Sequence, residues 1–321
     1  MKNVLVTAIG SASADIVISE LKNSGYKVVG SDIYPREWVA NALEVDVFYH
    51  APRVTNQKEY LSFVQKVCVE ENIQYVFPLT DVEVDVYNGN RKWFEEKGVT
   101  VCISSFETIS LCRNKKLLGE FIDKNHLVKT IPTFTISEIG EQPESLPVVC
   151  KPFDGRSSEG LERIYDLTAW ENFKKKDNLD RYIIQPLIEG NVVTVDVVRQ
   201  PDGVNVVAVS RVELLRTLNG LGTSVHIFLD SALEKQCIEL ANKLQVVGCV
   251  NFEFIKDDKG DYHFLECNPR FSGGVKFSCM AGYNCVKNHL KAYETGVIDA
   301  GWDKREMYIA RKYQEYVTQI N

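Results

Sequence analysis

The chain lacks most of the marks of secreted, membrane and metal-thiolate proteins. Its nine cysteines are odd in number and contain no C-x-x-C pair, so they fit neither a zinc site nor a disulfide framework. Cys102, Cys150 and Cys249 lie in apolar runs, where a buried thiol is the ordinary reading. A reduced, cytoplasmic protein is expected. No apolar run approaches a membrane span. The apolar start, Met1 to Val6, runs into a strand and is broken by Gly10-Ser11, too soon for a signal peptide. The five histidines, His50, His126, His226, His263 and His289, show no metal or triad spacing. There is no nucleophile elbow G-x-S-x-G and no phosphate loop G-x-x-x-x-G-K-[ST]. Basic excess is missing too. A net charge of −7 and a pI near 5.4 argue against nonspecific nucleic-acid or acidic-membrane partners. A local basic pocket for phosphates remains compatible.

What is present is an ordinary globular composition and, at 321 residues, room for about two domains. The first hundred residues alternate strand and helix. Strands are expected at Val4–Ala8, Lys27–Ser31, Tyr75–Phe77 and Thr100–Ile103. Helices are expected at Ala12–Ser24, Asn56–Glu71 and Val84–Lys97. This alternation predicts a Rossmann-like α/β domain with a parallel sheet over residues 1–104. Ligands gather at the carboxyl ends of such strands, here Gly10-Ser11 and Thr80-Asp81. The pattern changes near residue 105. A helix Ser110–Asn125 carries Arg113, Lys115 and Lys116. Short strands follow at Thr133–Thr135, Val148–Pro152, Leu161–Tyr165 and Tyr182–Gln185, with a helix Leu167–Lys176 among them. Long β runs come at Val192–Arg199 and Val204–Arg211. A helix Ser231–Leu244, a hairpin, a helix near Cys285–Thr295 and a charged tail that reads as helical complete an α+β region, 105–321.

The hairpin is the most informative segment. Strands 250–256 and 261–268 flank Asp257-Asp258-Lys259-Gly260. A four-residue turn sets Lys256 opposite Asp261, Glu253 opposite Phe264 and Asn251 opposite Glu266. Side chains alternate faces. Glu253, Glu266 and Asn268 then share one face, with Glu253 diagonal to Glu266. Phe252, Phe254, Leu265 and Cys267 form the core face. Carboxylates this close repel unless a cation lies between them. Oxygen ligands of this kind suit Mg²⁺, which also binds phosphates. The bland alternative is a solvated polar face.

Other segments carry weaker signals. Lys151-Pro152 closes an apolar strand before Asp154-Gly155-Arg156-Ser157-Ser158-Glu159-Gly160. Glycines there let a backbone approach phosphate, and Lys151 adds a point charge. A Gly/Ser turn without such a role is the alternative. Tyr182–Gly190 reads as a strand entering a linker. Either it is a plain edge strand, or an adenine lies against Ile184 and Leu187, with the Gln185 C=O accepting and the Leu187 N–H donating. Arg211, Glu213, Arg216 and Gly220-x-Gly222 are either a solvated strand end or a site for a substrate anion, since arginine captures carboxylate and phosphate.

The ordered set Lys115, Lys151-Pro152, the Gly/Ser loop, Gln185–Leu187, Glu253 and Glu266-x-Asn268-Pro269-Arg270 resembles the ATP-grasp superfamily. The nearest branch is the carbamoyl-phosphate synthase large-subunit-like and biotin-carboxylase-like one. The resemblance covers about residues 105–290, and the N-terminal pattern resembles the domain that precedes it in that family. It implies an ATP-grasp domain over 105–321, with a small lid subdomain 105–186 and a larger subdomain 187–321. ATP would lie between them. Lys115 and Lys151 would contact its phosphates, and the loop with Gly155, Ser157, Ser158 and Gly160 would close over them. Gln185 and Leu187 would hold adenine. Glu253, Glu266 and Asn268 would ligate Mg²⁺ (or Mn²⁺). Arg270 and Lys151 would act on the transferring phosphoryl group. Arg211, Glu213 and Gly222 would face the substrates. Pro186 stands where many relatives are acidic, and Asn191-Val192-Val193 where they carry a ribose-binding Glu, which leaves Glu189 for the ribose.

The activity implied is an ADP-forming ligase. A small-molecule carboxylate becomes an acylphosphate, and an amine or thiol displaces phosphate. A full carbamoyl-phosphate synthase and a biotin-carrying protein do not fit, for want of further domains and of a Met-Lys-Met site. Homodimerisation is a family-level expectation. Two other classes compete: a non-catalytic ATP-binding regulator or scaffold of the same fold, and a nicotinamide oxidoreductase. For the latter Asp32 sits where a ribose acid belongs, yet Ser11–Ala14 lacks two glycines of G-x-G-x-x-G.

Overall fold

A computed structural model of the chain describes residues 2–156, 159–218 and 220–320. The N-terminal alternation folds as β1 (Asn3–Thr7), α1 (Ala14–Asn23), β2 (Lys27–Asp32), β3 (Val47–His50), α2 (Gln57–Glu70), β4 (Ile73–Phe77), α3 (Asp81–Asn88), α4 (Arg91–Glu96) and β5 (Thr100–Val101). All pairings are parallel, in the order β3-β2-β1-β4-β5. Connections leave β1 toward one edge and β4 toward the other, so the crevice opens between them. The two loops expected there, after β1 and after β4, stand at its mouth. Helix α1 lays Ala14, Val17, Ile18 and Leu21 on the sheet at helical spacing.

Two expected helices are broken in the structure. The run Val84–Lys97 is two helices, α3 and α4, because Gly89 caps the first and Asn90 leaves helical geometry. The first starts earlier than expected, at Asp81, under a Thr80/Glu83 capping box. The run Ser110–Asn125 is α5 (Phe106–Arg113) and α6 (Lys115–Lys124). Asn114 is extended between them and accepts from the N–H groups of Lys116 and Leu117, both at 3.1 Å. Lys115 thereby starts a helix instead of sitting inside one.

A small antiparallel sheet follows, order β6-β9-β7-β8, from β6 (Phe134–Thr135), β7 (Val148–Pro152), β8 (Glu162–Ile164) and β9 (Tyr182–Pro186), backed by α7 (Ile136–Ile139) and α8 (Leu167–Phe173). The large sheet has the order β14-β13-β10-β11-β12-β15. Its strands are β10 (Asn191–Arg199), β11 (Val206–Arg216), β12 (Gly222–Ile227), β13 (Gly248–Lys256), β14 (Tyr262–Asn268) and β15 (Met307–Ala310). Helix α9 (Ser231–Leu244) covers one face, packing Leu233, Cys237, Leu240 and Leu244 with Val193, Val195, Val197, Phe252, Phe254 and Phe264. Helices α10 (Val275–Met280) and α11 (Cys285–Glu294) lie toward the N-terminal sheet, and α1 and α11 residues share one apolar core. The tail expected to be helical supplies β15 instead, pairing Ser224–Ile227 with Met307–Ala310.

The hairpin register also differs from expectation. Lys256 pairs with Tyr262, Phe254 with Phe264 and Asn251 with Asn268, and the ladder shifts between Phe254 and Glu253. Leu265 and Glu266 together oppose Glu253, a β-bulge. The shift has two effects. Glu253 faces Glu266 directly instead of diagonally, and Leu265 turns out of the core to line the cleft. Phe264 takes the core place expected for Leu265.

The start of β13 is anchored by α11. The Cys249 N–H donates to His289 Nδ1 at 2.7 Å, and burial pushes the His289 imidazole down to about 3, so it stays a neutral acceptor. Gly248, at φ +71°, lies so close that an added Cβ would stand 2.4 Å from His289 Nδ1. Gly248→Ala is therefore expected to cost about 2–4 kcal/mol through positive φ and overpacking. Urea unfolding checks this, and a variant within 0.5 kcal/mol of wild type would refute the anchoring role (roughly the scatter of neutral surface changes).

Candidate active site

The face of the large sheet left uncovered by α9 carries the polar residues of three neighbouring strands. Thr194 of β10 pairs with Glu253 on one side and Arg211 on the other, and Asp196 pairs with Asn251. Strand β14 brings Glu266 and Asn268 to this surface, opposite Glu253 and Asn251. Asn268 Nδ2 donates to Glu266 Oε1 at 3.1 Å and Glu253 Oε1 at 3.4 Å. The small sheet stands opposite, and a cleft of about 440 Å³ opens between them.

Two lysines reach the carboxylates from the other side. Lys115, at the start of α6, places Nζ 3.3 Å from Glu266 Oε2 and donates to the Gly155 C=O at 2.7 Å. Lys151, in β7, is buried on the cleft wall. Burial first, with Lys115 adding to it, pushes its ammonium down to about 8, although Glu266 and Glu253 pull the other way. The two glutamates divide their titration. Burial and the Glu266 charge push Glu253 up. Burial also raises Glu266, but Lys115, Lys151 and the Asn268 amide outweigh it and hold this carboxyl below its usual range. The lysines outweigh burial at Glu266, whereas at Glu253 the Arg216 guanidinium, 3.9 Å away, does not.

That imbalance is the fit test for a divalent cation. Two opposed carboxylates and an amide, bridged by the N–H donors of Asn268, form an all-oxygen donor set once that amide presents its oxygen. The residues fit Mg²⁺ or Mn²⁺.

Beyond this cluster the expected residues separate. Gly155 lines the cleft. Gly160, at φ +71°, lies next to its wall, beside Pro152 and Tyr182. Ser157 and Ser158 fall outside the described residues. Gln185 lines the cleft but gives its amide to Thr133 Oγ1 at 2.7 Å. Leu187 is also in the wall, yet its N–H already donates to the Pro147 C=O at 3.1 Å, extending the β7–β9 ladder. That N–H is not free for a base as expected. Ile184 is buried in the small sheet's core, and the apolar walls are instead Val149, Leu187, Val192, Ile255 and Leu265. Glu189 is exposed and outside the lining. Asp32 accepts from the N–H groups of Gly10 (2.7 Å) and Tyr34 (3.0 Å), a local structural role.

Arg211 lines the far end of the cleft but is almost wholly buried. It donates to Glu213 Oε1 (2.9 Å), Asp196 Oδ2 (2.6 Å) and Ser272 Oγ (3.0 Å). Its donors serve the protein, and it holds Glu213 in place. Gly222 is required beside this pair, since a Cβ there would stand 1.8 Å from Glu213 Oε2. Arg216, 3.9 Å from Glu253, is the more accessible guanidinium.

Arg270, the last hairpin residue singled out in sequence, gives Nη2 to Asp81 Oδ2 at 2.7 Å and Nη1 to the Phe271 C=O at 2.9 Å. Asp81 lies at the crevice mouth expected from the strand order. Its pairing with a residue so distant in sequence had no local signal. Ser11, Ser13 and Leu79 line the same end.

Comparison with known proteins agrees with this architecture. Residues 178–315 match a family described as ATP-grasp in the biosynthetic pathway with Ter operon, and residues 4–102 match the PylC-like N-terminal domain. No curated protein matches the chain in sequence. Among solved structures, Campylobacter jejuni biotin carboxylase bound to β,γ-ATP is 17% identical, with a TM-score of 0.74 over 91% of this chain and 70% of that one. The biotin carboxylase domain of Hydrogenobacter thermophilus 2-oxoglutarate carboxylase, with MgADP, ADP and bicarbonate, is 20% identical at 0.74, over 91% and 70%. Bacillus licheniformis L-amino acid ligase is 17% identical at 0.71, over 94% and 78%. At these identities the similarity is one of fold. Among the described residues no helix is long and apolar enough to cross a membrane.

The Lys151 environment sets a pH expectation. Its ammonium is present below about pH 8 and lost above it. Affinity for a Mg²⁺–ATP analogue should therefore fall as pH rises through 8 to 9. In Lys151→Arg, which stays charged, the fall should vanish. Calorimetric titration at pH 7 to 9.5 checks it, and equal pH profiles for the two proteins would contradict the assignment.

Proposed function

We propose that this ATP-grasp protein, built with a PylC-like N-terminal domain, is an ATP- and Mg²⁺-dependent, ADP-forming ligase. It activates a small-molecule carboxylate as its acylphosphate for attack by an amine or thiol. The observation that carries the reading is the direct pairing of Glu253 with Glu266, bridged by Asn268 and approached by Lys115.

ATP would lie in the cleft between the small and large sheets. Glu253, Glu266 and Asn268 would hold Mg²⁺ or Mn²⁺, which when bound neutralises phosphate oxygens and so lets two anions approach. Lys115 and Lys151 would grip the phosphates as point charges. Lys115 also ties its helix to the turn at Gly155, so gripping the nucleotide and holding that turn are one act. Arg270, fixed by Asp81 and the Phe271 C=O, would offer its remaining N–H donors to charge developing on the transferring group. Catalysis of this kind is chiefly positioning and charge stabilisation. The apolar walls exclude water from an acylphosphate, which water would destroy. Glu213, Arg216 and Gly222 would frame the substrate end. Nine free cysteines, eight of them buried, suit the cytoplasm proposed for it.

Glu266→Gln and Lys151→Ala should each lower phosphate release by about 10²-fold or more while leaving the unfolding transition intact. The assay is a panel of carboxylates paired with amines and thiols. Wild-type consumption by either variant with a productive pair would refute the site. Mg²⁺-dependent thermal stabilisation by ATP, with no release across a broad panel, would support the non-catalytic reading instead.

A further inference from the structure

We propose that helix α3 of the N-terminal domain is a working part of this nucleotide site, with Asp81 a positioning residue for Arg270 and Asp85 a positioning residue for the 153–156 turn. The proposal rests on the ligase site described above and adds to it residues from outside the ATP-grasp domain.

Asp81 and Asp85 are one helical turn apart on α3, so their side chains share a face. Three arginines from three other segments converge on that face. Arg270, from the end of the hairpin, donates Nη2 to Asp81 Oδ2 at 2.7 Å. Arg113, from the end of α5, lies with Nη1 3.8 Å from Asp81 Oδ1 and Nε 3.2 Å from Asp85 Oδ1. Arg156, from the turn after β7, pairs with Asp85 Oδ2. Charges therefore alternate along a ladder from the metal-binding hairpin to the turn beside the lysines. Asp81 is buried and Arg113 nearly so, where ion pairs are screened little. Arg113 also donates Nη2 to the Asp154 C=O at 3.1 Å, and the Lys115 N–H donates to the Phe153 C=O at 3.0 Å. The turn is thus tied to α3 directly through Arg156 and, at the Asp154 C=O, through Arg113.

The position of Asp81 has a chemical consequence. Arg270 lines the same cleft as Glu253 and Glu266, two residues beyond the Asn268 that bonds to both. Asp81, which does not itself line the cleft, holds a guanidinium that does. Without Asp81, Arg270 would pair with these carboxylates and compete with the cation for their oxygens. Ordinary interdomain glue would not produce that competition.

The test needs no acceptor substrate. Binding of AMP-PNP is titrated against Mg²⁺ by calorimetry for wild type, Asp81→Asn, Asp81→Asn with Arg270→Met, Asp85→Asn and Glu266→Gln, each checked for an intact unfolding transition. Asp81→Asn should raise the Mg²⁺ concentration for half-maximal binding about tenfold, a shift typical of one coupled pair. Adding Arg270→Met should bring it back toward wild type, which a merely structural loss would not allow. Asp85→Asn should weaken the analogue itself about tenfold at saturating Mg²⁺. The proposal is overturned if Asp81→Asn titrates like wild type, or if Arg270→Met fails to relieve its defect. If Asp81→Asn fails to fold, Asp81→Glu replaces it and should show a smaller shift of the same sign; an unshifted titration overturns the proposal equally. Wild-type Mg²⁺ dependence in Glu266→Gln would instead refute the underlying site, whatever the ladder does.

Discussion

Two carboxylates held face to face on neighbouring strands are the constraint around which this molecule is arranged. Glu253 and Glu266 oppose each other because one extra residue, Leu265, is inserted in β14. Like charges directly across a ladder destabilise a sheet, so the pair persists only with compensation from elsewhere. Lys115 comes from the start of α6 and Lys151 from the small sheet. Neither belongs to the hairpin. The Lys115–Glu266 pair ties α6 to the large sheet across the cleft, and Lys151 lines the same cleft from the small sheet. The compensation is also uneven, since it outweighs burial at Glu266 and not at Glu253. The proposed cation site rests on this imbalance.

The N-terminal domain closes the open end of this cleft. Its sheet turns its β1–β4 switch point toward the hairpin, so the loops after those strands bring Ser11, Ser13 and Leu79 to the cleft and Asp81 to Arg270. The C-terminal strand contributes on the same side. β15 pairs at the sheet edge and places Arg311, which donates to the Gly222 C=O (3.1 Å), the Ala12 C=O (3.4 Å) and the Gly273 C=O. Three distant segments are held together by one half-buried guanidinium.

Much of this was legible in the sequence, and the reasons are local. Strand–helix alternation and the stripe of Ala14, Val17, Ile18 and Leu21 give the N-terminal sheet. Alternating polarity in β13 and β14 puts both glutamates and Asn268 on one face even with the register wrong, since the bulge moved Leu265 but not the chemistry. What escaped was non-local or carried by backbone. A bulge at Leu265 has no side-chain signature. The breaks at Asn114 and Gly89 sit inside apolar periodicity that reads through them. Strands β3 and β12 are short or follow a glycine-rich turn and were not expected. In sequence the Leu187 N–H reads either as a strand donor or as a base contact, and the partner strand shows that Pro147 uses it. The full burial of Arg211 depends on Asp196, Ser272 and Ser278 from three other segments.

The central claim is that the opposed glutamates bind a divalent cation together with a nucleotide. Electron paramagnetic resonance of Mn²⁺ measures this directly, by counting bound ions with and without AMP-PNP. The account predicts nucleotide-dependent Mn²⁺ binding in the wild-type protein and its loss when Glu253 and Glu266 are both replaced by Gln in a protein that still folds. Undiminished Mn²⁺ binding by that double variant would contradict it.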